Sequence, residues 1–461
     1  MIAIGRVGLL ATAVLLASCV VAEPSASSPM VATPQAAGAS ASPSPTQAPM
    51  AKPAGSVASL LLVRIEEPGV GVLRARPIDP GTLADIPGFT PLELGHHYRS
   101  ALSPDRRTLA VFVWPPSGGG SGAGGVLHLV DPLAWTDRTT DVRVDENFDW
   151  LEWSANGKSL YWIRAVQTEL HAVFATDLAT LTIREIARLP AGFQPFDTRL
   201  VGSRIAVVGA TNDRNLAQGD AGVVFVDTSS GRVSPQLRLS GMRLGQFAVN
   251  EPGLYPYRMI VPGKAWDLER GRLVLVDAER DVVHVIDLLH ETESGPLAIR
   301  PRSTSKGPPG GAKMVSTTRK VAALNGDGRW LYVSGSREDV STNDPEHVVV
   351  VPIAVQRVDL SSMSETARVA GGAPLLRLSS NGTRLLYAGD DTVVLDATDL
   401  HEIIRVATQR ETGAMERDGI AYITYSAYPS GSSLRAVAFL TGNVLASRTL
   451  DRHVADLIDI R

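Results

Sequence analysis

A serine and an aspartate stand two residues apart in ALSPDRRTLAVF (101–112), close enough for a nucleophile and an acidic group to act together. A similar segment, WSANGKSLYWI (153–163), has asparagine in place of the aspartate. A catalytic serine of the hydrolase type sits in a Gly-x-Ser-x-Gly turn, and the chain has no such sequence. The recurrence of a polar turn before an apolar run therefore favours a structural role.

Metal and cofactor chemistry has equally little support in the sequence. The chain has nine histidines and no His-Glu-x-x-His motif, and its only adjacent pair is His96-His97. Neighbouring side chains of a strand point to opposite faces, so this pair would not bind one ion together.

Three loops resemble ligand-binding sequences only in part. NGDGR (325–329) and GDDT (389–392) lack the 12-residue spacing and the closing glutamate of a calcium loop. GPPGGAK (307–313) lacks the GK[ST] ending of a phosphate loop. We therefore predict no catalytic residue, no metal site and no cofactor from the sequence.

The chemistry that the sequence does support is at Cys19, the only cysteine of the chain. Arg6 is followed by an apolar run from Val7 to Ala17, which is too short to span a bilayer comfortably. The sequence Leu16-Ala17-Ser18-Cys19 resembles the lipobox of bacterial lipoproteins, in which the signal is cut before the cysteine and that residue is acylated. The resemblance implies a signal peptide at 1–18, lipidation of Cys19, and an extracytoplasmic protein anchored to the bacterial cell membrane.

Two alternatives remain for the N-terminus: ordinary signal-peptide cleavage after Ala22, and an uncleaved anchor. Residues 19–56 are rich in alanine, serine and proline and have no hydrophobic periodicity, so we predict a disordered tether behind the lipidated cysteine. At about 3.1 Å per residue, such a tether extends on the order of 100 Å and would hold a folded domain away from the lipid.

The charge of the whole chain limits its partners. The formal net charge is −4 and the isoelectric point is near 6.2, which gives no basic field for nucleic acid. No stretch after the first nineteen residues is long and apolar enough to be a membrane-spanning segment.

Two sequence marks recur along residues 57–461 at intervals of about 50 residues. The first is a polar turn before a strand, and the second is an apolar run that ends in aspartate. The turns lie at 103–105, 154–157, 325–328 and 379–382, with weaker copies at 201–203, 269–271 and 417–419. The aspartates are Asp79, Asp131, Asp177, Asp227, Asp287, Asp359 and Asp396, and Thr441 takes the eighth position. We expect each aspartate to cap its turn by accepting backbone N–H groups.

The two marks alternate along the chain, which is typical of repeated four-stranded units. The unit resembles the WD40-like blades of bacterial propellers, whose signature is Ser-Pro-Asp-Gly-x-x-Leu before a strand, although Arg106 replaces the glycine here. The resemblance implies an all-β fold, a β-propeller of antiparallel blades at 57–461. The count gives eight blades, with seven as an alternative and two β-sandwiches as a rival fold. We expect residues 453–460 to supply the inner strand of the first blade.

The irregular loops are the expected place for a function, because both repeated marks fall at one face of a propeller. The longest of them, 242–266, contains Tyr255, Tyr257, Arg258 and Trp266, which are side chains that binding interfaces favour. We predict ligand binding there, while packing of the aromatic residues onto the propeller is the alternative.

Two functions follow from this interpretation. The first is a non-catalytic binding or scaffolding module for a protein, peptide or glycan of the cell envelope, held at the membrane through Cys19. The second is an extracytoplasmic propeller enzyme, similar to dehydrogenases or lactonases, with its site in the central channel. Carboxylates or histidines that meet in the channel would favour the enzyme.

Overall fold

The computed structural model describes residues 60–67, 72–114, 124–144, 148, 150–167, 170–211, 220–248, 257–301, 314–340, 348–372, 375–388, 391–407, 411–427, 431–450 and 454–459. All of them belong to one compact unit, Lys52–Arg461. Within these ranges no helix is long and apolar enough to cross a membrane. The predicted signal peptide, Cys19 and the tether lie outside the described residues and stay predictions.

The described chain is built from β-strands. They are β1 (Leu60–Glu67), β2 (Val72–Ile78), β3 (Leu92–Gly95), β4 (His97–Leu102), β5 (Leu109–Trp114), β6 (Gly125–Asp131), β7 (Thr136–Val144), β8 (Trp150–Trp153), β9 (Ser159–Gln167), β10 (Leu170–Asp177), β11 (Thr182–Arg188), β12 (Phe193–Val201), β13 (Arg204–Thr211), β14 (Asp220–Asp227), β15 (Leu237–Arg243), β16 (Gly245–Ala248), β17 (Tyr257–Val261), β18 (Gly263–Asp267), β19 (Arg272–Val276), β20 (Val282–Asp287), β21 (Thr292–Ala298), β22 (Met314–Leu324), β23 (Trp330–Val340), β24 (Val348–Pro352), β25 (Val355–Asp359), β26 (Ser364–Val369), β27 (Leu375–Leu378), β28 (Arg384–Ala388), β29 (Asp391–Asp396), β30 (Glu402–Ala407), β31 (Glu411–Arg417), β32 (Ile420–Ala427), β33 (Gly431–Ala438), β34 (Val444–Leu450) and β35 (Val454–Asp459).

These strands form eight antiparallel blades, which confirms the propeller and the count of eight. From inner to outer strand, blade 1 is β35-β1-β2-β3, blade 2 is β4 to β7, blade 3 is β8 to β11 and blade 4 is β12 to β15. Blade 5 is β18 to β21, blade 6 is β22, β23, β24 with β25, and β26, blade 7 is β27 to β30, and blade 8 is β31 to β34. The seven-bladed alternative and the rival pair of sandwiches are wrong.

The ring closes between the last and the first blade, as expected from residues 453–460. Strand β35 pairs antiparallel with β1, with Leu60 opposite Asp459 and Leu62 opposite Leu457. Leu62 and Ile78 of blade 1 also pack into one buried cluster with Tyr422 and Leu434 of blade 8. The C-terminal strand therefore completes the first blade and covers what would otherwise be an open sheet edge.

Burial follows the position of a strand in its blade. The second strand of a blade is covered on both faces, and all six residues of β5 are buried. The outermost strand alternates instead, with exposed and buried residues in turn along the second half of β7. Eight apolar clusters each join two neighbouring blades, so the core is a ring of interfaces between blades.

The polar turns between first and second strands have the geometry that the sequence predicts. In blade 2 the hydroxyl of Ser103 donates to Asp105 at 2.7 Å and accepts the N–H of Thr108 at 2.9 Å. Arg106 has φ of +57°, at the position where blade 3 has Gly157 with φ of +68°. Arg106 therefore keeps the left-handed backbone conformation of the repeat, although arginine adopts this conformation less readily than glycine.

The aspartates cap the turns between third and fourth strands, which confirms that prediction. Asp227 Oδ1 accepts the backbone N–H groups of Ser229 at 3.0 Å and Ser230 at 2.8 Å. Bonds of the same kind are made by Asp79, Asp131, Asp177, Asp287, Asp359 and Asp396.

The assignment of Thr441 to the eighth capping position is wrong. In blade 4 the N–H of Asp227 donates to the carbonyl of Arg232, and in blade 8 the N–H of Ala438 donates to Asn443 in the same way. Ala438 is thus the structural counterpart of Asp227. An alanine side chain cannot accept the N–H bonds that the aspartates accept in the other blades. The sequence pattern therefore places this turn three residues after its position in the structure.

We call the side of the propeller with these two kinds of turn the turn face, and the opposite side the loop face. The connections of the loop face lie largely outside the described residues. The segment 242–266, which is predicted as a loop, contains the strands β16, β17 and β18.

Candidate functional site

Polar side chains of blades 3, 4 and 5 meet on the inner strands that surround the propeller axis. We call Glu152, Asp197, Arg199, Lys264 and Trp266 the channel cluster. Glu152 lies on β8, Asp197 and Arg199 on β12, and Lys264 and Trp266 on β18. Hydrogen bonds of Glu152 and Asp197 join blade 3 to blade 4 and blade 4 to blade 5.

Glu152 links blade 3 to blade 4. Its Oε2 accepts the indole N–H of Trp150 at 3.1 Å and the backbone N–H of Leu200 at 3.1 Å. Burial raises the pKa of the Glu152 carboxyl, while the Leu200 N–H and the charge of Arg199 act in the opposite direction. The outcome is a carboxyl group that holds its proton more tightly than an ordinary glutamate.

Asp197 links blade 4 to blade 5. Its Oδ2 accepts the indole N–H of Trp266 at 2.9 Å and lies 2.9 Å from the Nζ of Lys264. Strand β12 has a bulge here, because Pro195 pairs with Gly209 and Asp197 pairs with its neighbour Val208, leaving Phe196 as the extra residue. Such a bulge turns the side chains that follow it, and here it directs Asp197 toward blade 5.

A second feature lies at the loop face, where blade 6 is longer than its neighbours. Strands β22 and β23 have 11 residues each, and β24 pairs with the far half of β23. The β16–β17 hairpin, inserted between blades 4 and 5, adds to β22 in parallel, with Met259 opposite Thr317. We call the five strands in the order β16-β17-β22-β23-β24 the flap sheet.

Lys320 anchors the flap sheet to blade 5. Its side chain is 4% exposed, and its Nζ donates to the backbone carbonyl of Arg280 at 2.8 Å and to Asp281 at 3.3 Å. Burial lowers the pKa of Lys320, and the Asp281 carboxylate partly offsets this. The base of the sheet is therefore fixed to the next blade by a buried charge with partners.

The predicted binding residues separate into two places. Tyr257 and Arg258 lie on β17 of the flap sheet, opposite Ala248 and Phe247. Trp266 lies in the channel cluster, on the inner strand of blade 5. Tyr255 and Cys19 lie outside the described residues. Ligand binding by these residues stays a prediction, and the structure shows that the segment is a hairpin followed by an inner strand.

Sequence reasoning missed Glu152 and Asp197. They are far apart in the chain and come together because consecutive inner strands are neighbours in a propeller. The tryptophans beside them, Trp150 and Trp266, are the only local signal that could have indicated buried polar partners.

One group of side chains on the turn face has spacing compatible with metal ligands. Possible ligand atoms of Asp396, Asp399 and His401 lie within 4.8 Å of one another. Asp396 is already paired with Arg384 at 2.6 Å and caps Thr398, and His401 bonds to Asp399 at 2.6 Å. The contacts within the turn account for this group.

Comparison with known proteins supports the fold of the chain and indicates no specific function. No protein-family model matches the chain, and no curated protein matches it. Among solved structures, the dihydro-heme d1 dehydrogenase NirN in complex with DHE has a TM-score of 0.54 and 10% identity, over 88% of this chain and 75% of that chain. Apo AztD from Citrobacter koseri has a TM-score of 0.50 and 10% identity, over 87% of this chain and 96% of that chain. Both similarities support the β-propeller.

Proposed function

We propose that the chain is an envelope-anchored lipoprotein, acylated at Cys19, whose propeller is a non-catalytic binding module for a protein, peptide or glycan. The flap sheet carries this proposal. It is the elaboration that breaks the repeat of four strands per blade among the described residues, and it stands at the loop face, where a propeller is free to vary.

The edges of the flap sheet favour an extended protein segment as the ligand. Among the described strands, β16 pairs only with β17, and β24 pairs only with β23. Strand β24 has the sequence VVVVP and runs past the end of β26, whose last pair is Val369 with Val355. A strand edge offers backbone N–H and C=O groups to an added strand, which is a common mode of peptide recognition.

The test is a crosslinking pull-down from envelope extract with the full chain as bait. Val351→Lys places a charge on the β24 edge, and Ile183→Lys places the same charge on β11, the outer strand of blade 3. We expect partner recovery to fall with Val351→Lys and with a shortened β16–β17 hairpin, and to persist with Ile183→Lys. Equal recovery from all variants would overturn the proposal.

Anchoring is tested separately. Radiolabelled palmitate should be incorporated into the wild-type chain and lost in Cys19→Ala. Incorporation that persists in Cys19→Ala would contradict acylation at this cysteine and leave the binding test unaffected.

A second candidate, a propeller enzyme with its site in the channel, is favoured by one observation. Glu152 and Asp197 are two carboxyl groups on neighbouring inner strands with unlike surroundings, and only Asp197 is paired with a lysine. Carboxyl groups whose surroundings differ in this way can serve as acid and base.

This candidate is tested by assaying lactone hydrolysis and alcohol oxidation with the wild-type chain and Glu152→Gln. Turnover that falls at least about tenfold in Glu152→Gln, with folding intact, would replace the binding proposal. Turnover unchanged by this substitution, or none with either substrate class, would exclude the channel as the site of these reactions.

A further inference from the structure

The described residues include eight exposed large apolar side chains. Among the described residues, all of them except Phe196 lie in turns of the turn face or in the first two residues of a strand that leaves it. They are Leu133, Ile183, Leu268, Leu289, Leu440, Val444 and Leu445. Single exposed apolar residues are ordinary on a protein surface, but their collection on one face points to an interaction.

Three of these leucines occupy the same position of the repeat. Leu133 and Leu289 follow the capping aspartates Asp131 and Asp287 by two residues, and Leu440 follows Ala438 by two. The corresponding residues of the other blades are Gly81, Ala179, Ser229, Ser361 and Thr398. The leucines belong to blades 2, 5 and 8 and therefore lie around the axis rather than in one sector. We call them the leucine triad.

The backbone of the triad is held in place by polar bonds. The N–H groups of Leu133 and Leu289 donate to their capping aspartates at 2.8 Å and 2.9 Å. The carbonyl of Leu289 accepts from Arg204 of blade 4 at 3.0 Å, and that of Leu440 accepts from Arg384 of blade 7 at 3.2 Å. The side chains are 43%, 60% and 57% exposed, in chain order, so fixed turns present them to the solvent.

The chain also enters and leaves the propeller at this face. Strand β1 begins beside the end of β35, with Leu60 opposite Asp459, and Leu60 also pairs with Ile78 just before the Asp79 turn. Strand β1, the first described strand after Cys19, therefore begins at the turn face. A propeller anchored through Cys19 has the leucine triad on the side nearest to its tether.

We infer that the turn face docks on the phospholipid bilayer that carries the chain's own anchor, with the leucine triad inserted among the lipid headgroups. This inference rests on the proposed anchoring at Cys19. Three partly exposed leucines alone give weak binding, since even one myristoyl chain holds a protein only marginally. A flexible tether supplies a local concentration on the order of millimolar, at which weak docking is sufficient. The tether then permits both a docked and an extended state.

The experiment separates docking from natural acylation. Because Cys19 is the only cysteine, a maleimide phospholipid couples the full chain to vesicles there, whether or not a cell acylates it. The vesicles contain phosphatidylethanolamine and phosphatidylglycerol, with a phospholipid that carries a diazirine near its glycerol. After illumination, the labelled residues are mapped by mass spectrometry.

We expect label on residues 131–135, 287–291 and 438–445 of the wild-type chain. The triple variant Leu133→Ser, Leu289→Ser, Leu440→Ser should lose this label about fivefold or more, because serine does not enter the acyl boundary. Phe196→Ser is the matched control, since Phe196 is 38% exposed but lies on β12 inside the ring, and it should label like the wild type.

Three results would overturn docking on lipid. The first is label spread evenly or found on loop-face peptides of the wild type, and the second is a triple variant that labels like the wild type. The third is a dimer in sedimentation that the triple substitution makes monomeric, which would assign the leucines to a contact between two copies. Absence of palmitate incorporation into the wild-type chain would refute the anchoring proposal and leave the mapped docking valid.

Discussion

Replacing Asp197 by alanine removes the acceptor that ties blade 5 to blade 4 near the axis. The substitution leaves the Trp266 indole N–H without its 2.9 Å acceptor and removes the carboxylate that pairs with Lys264. Trp266 is partly buried, so its unmade hydrogen bond costs about 1–3 kcal/mol. Lys264 is 40% exposed and can be rehydrated, so loss of the ion pair adds about 1 kcal/mol or less.

The expected loss for Asp197→Ala is therefore about 1–4 kcal/mol of unfolding free energy. Asp197→Asn keeps an acceptor for the indole and loses only the charge, and Lys264→Met removes only the ion pair, so each should cost about 1 kcal/mol or less. Guanidinium unfolding followed by far-UV circular dichroism measures these differences, provided that the slope with denaturant is unchanged. A loss in Asp197→Asn as large as in Asp197→Ala would refute the assignment of most of this energy to the indole bond.

Three further outcomes follow from the turns. Ala438→Asp should raise the unfolding free energy by about 1 kcal/mol in the same assay, because an aspartate there can cap the turn of blade 8 as Asp227 caps that of blade 4; no gain would contradict the equivalence. The hydroxyls of Ser229 and Ser230 and the Ser230 N–H hold the pKa of Asp227 well below its usual range. The Asp227 carboxylate therefore contributes its full stabilisation of the folded state above the ordinary aspartate pKa. This stabilisation is lost as pH falls through the lowered pKa of the folded state. Asp227→Asn should therefore flatten the acid limb of a stability–pH curve below about pH 4, and an unchanged limb would contradict this. Gly157→Ala should lower the free energy of unfolding by about 1–2 kcal/mol, because Gly157 has φ of +68°. Gly326 also has open space around it but lies outside the left-handed region, so Gly326→Ala should cost less. Equal losses of stability in thermal unfolding would contradict the backbone argument.

The parts of the fold that the sequence could predict are those set by local chemistry. Ser103 and Asp131 each cap a turn by accepting a backbone N–H group from a residue at most five positions away. Because these bonds are local, the capping residues form a pattern that can be recognised in the sequence. Thr441 shows the limit of this logic, because blade 8 has the same turn without the capping carboxylate, and only the backbone bonds of Ala438 reveal it.

The candidate sites needed contacts between distant segments. The pairing of Met259 with Thr317 joins a hairpin to a blade that the chain reaches only after building another blade, and no local pattern indicates such a parallel pair. Asp197 reaches Trp266 because a bulge at Phe196 shifts the register of β12. The alternation of inward and outward side chains expected of a regular strand does not reveal where a bulge interrupts it.

The repeat also explains why a face built from uniform turns can still carry a function. In blade 4 the cap fixes the backbone through the N–H groups two and three residues after Asp227, and the residue type two positions after the cap differs from blade to blade. That position holds a serine in blade 4 and a leucine in blade 5 on the same backbone bonds. The turn geometry is therefore compatible with different side chains at this position, and leucine occupies it in the three blades of the leucine triad. The regular turns therefore reflect a shared backbone geometry, and a propeller of this kind can carry a function on either face.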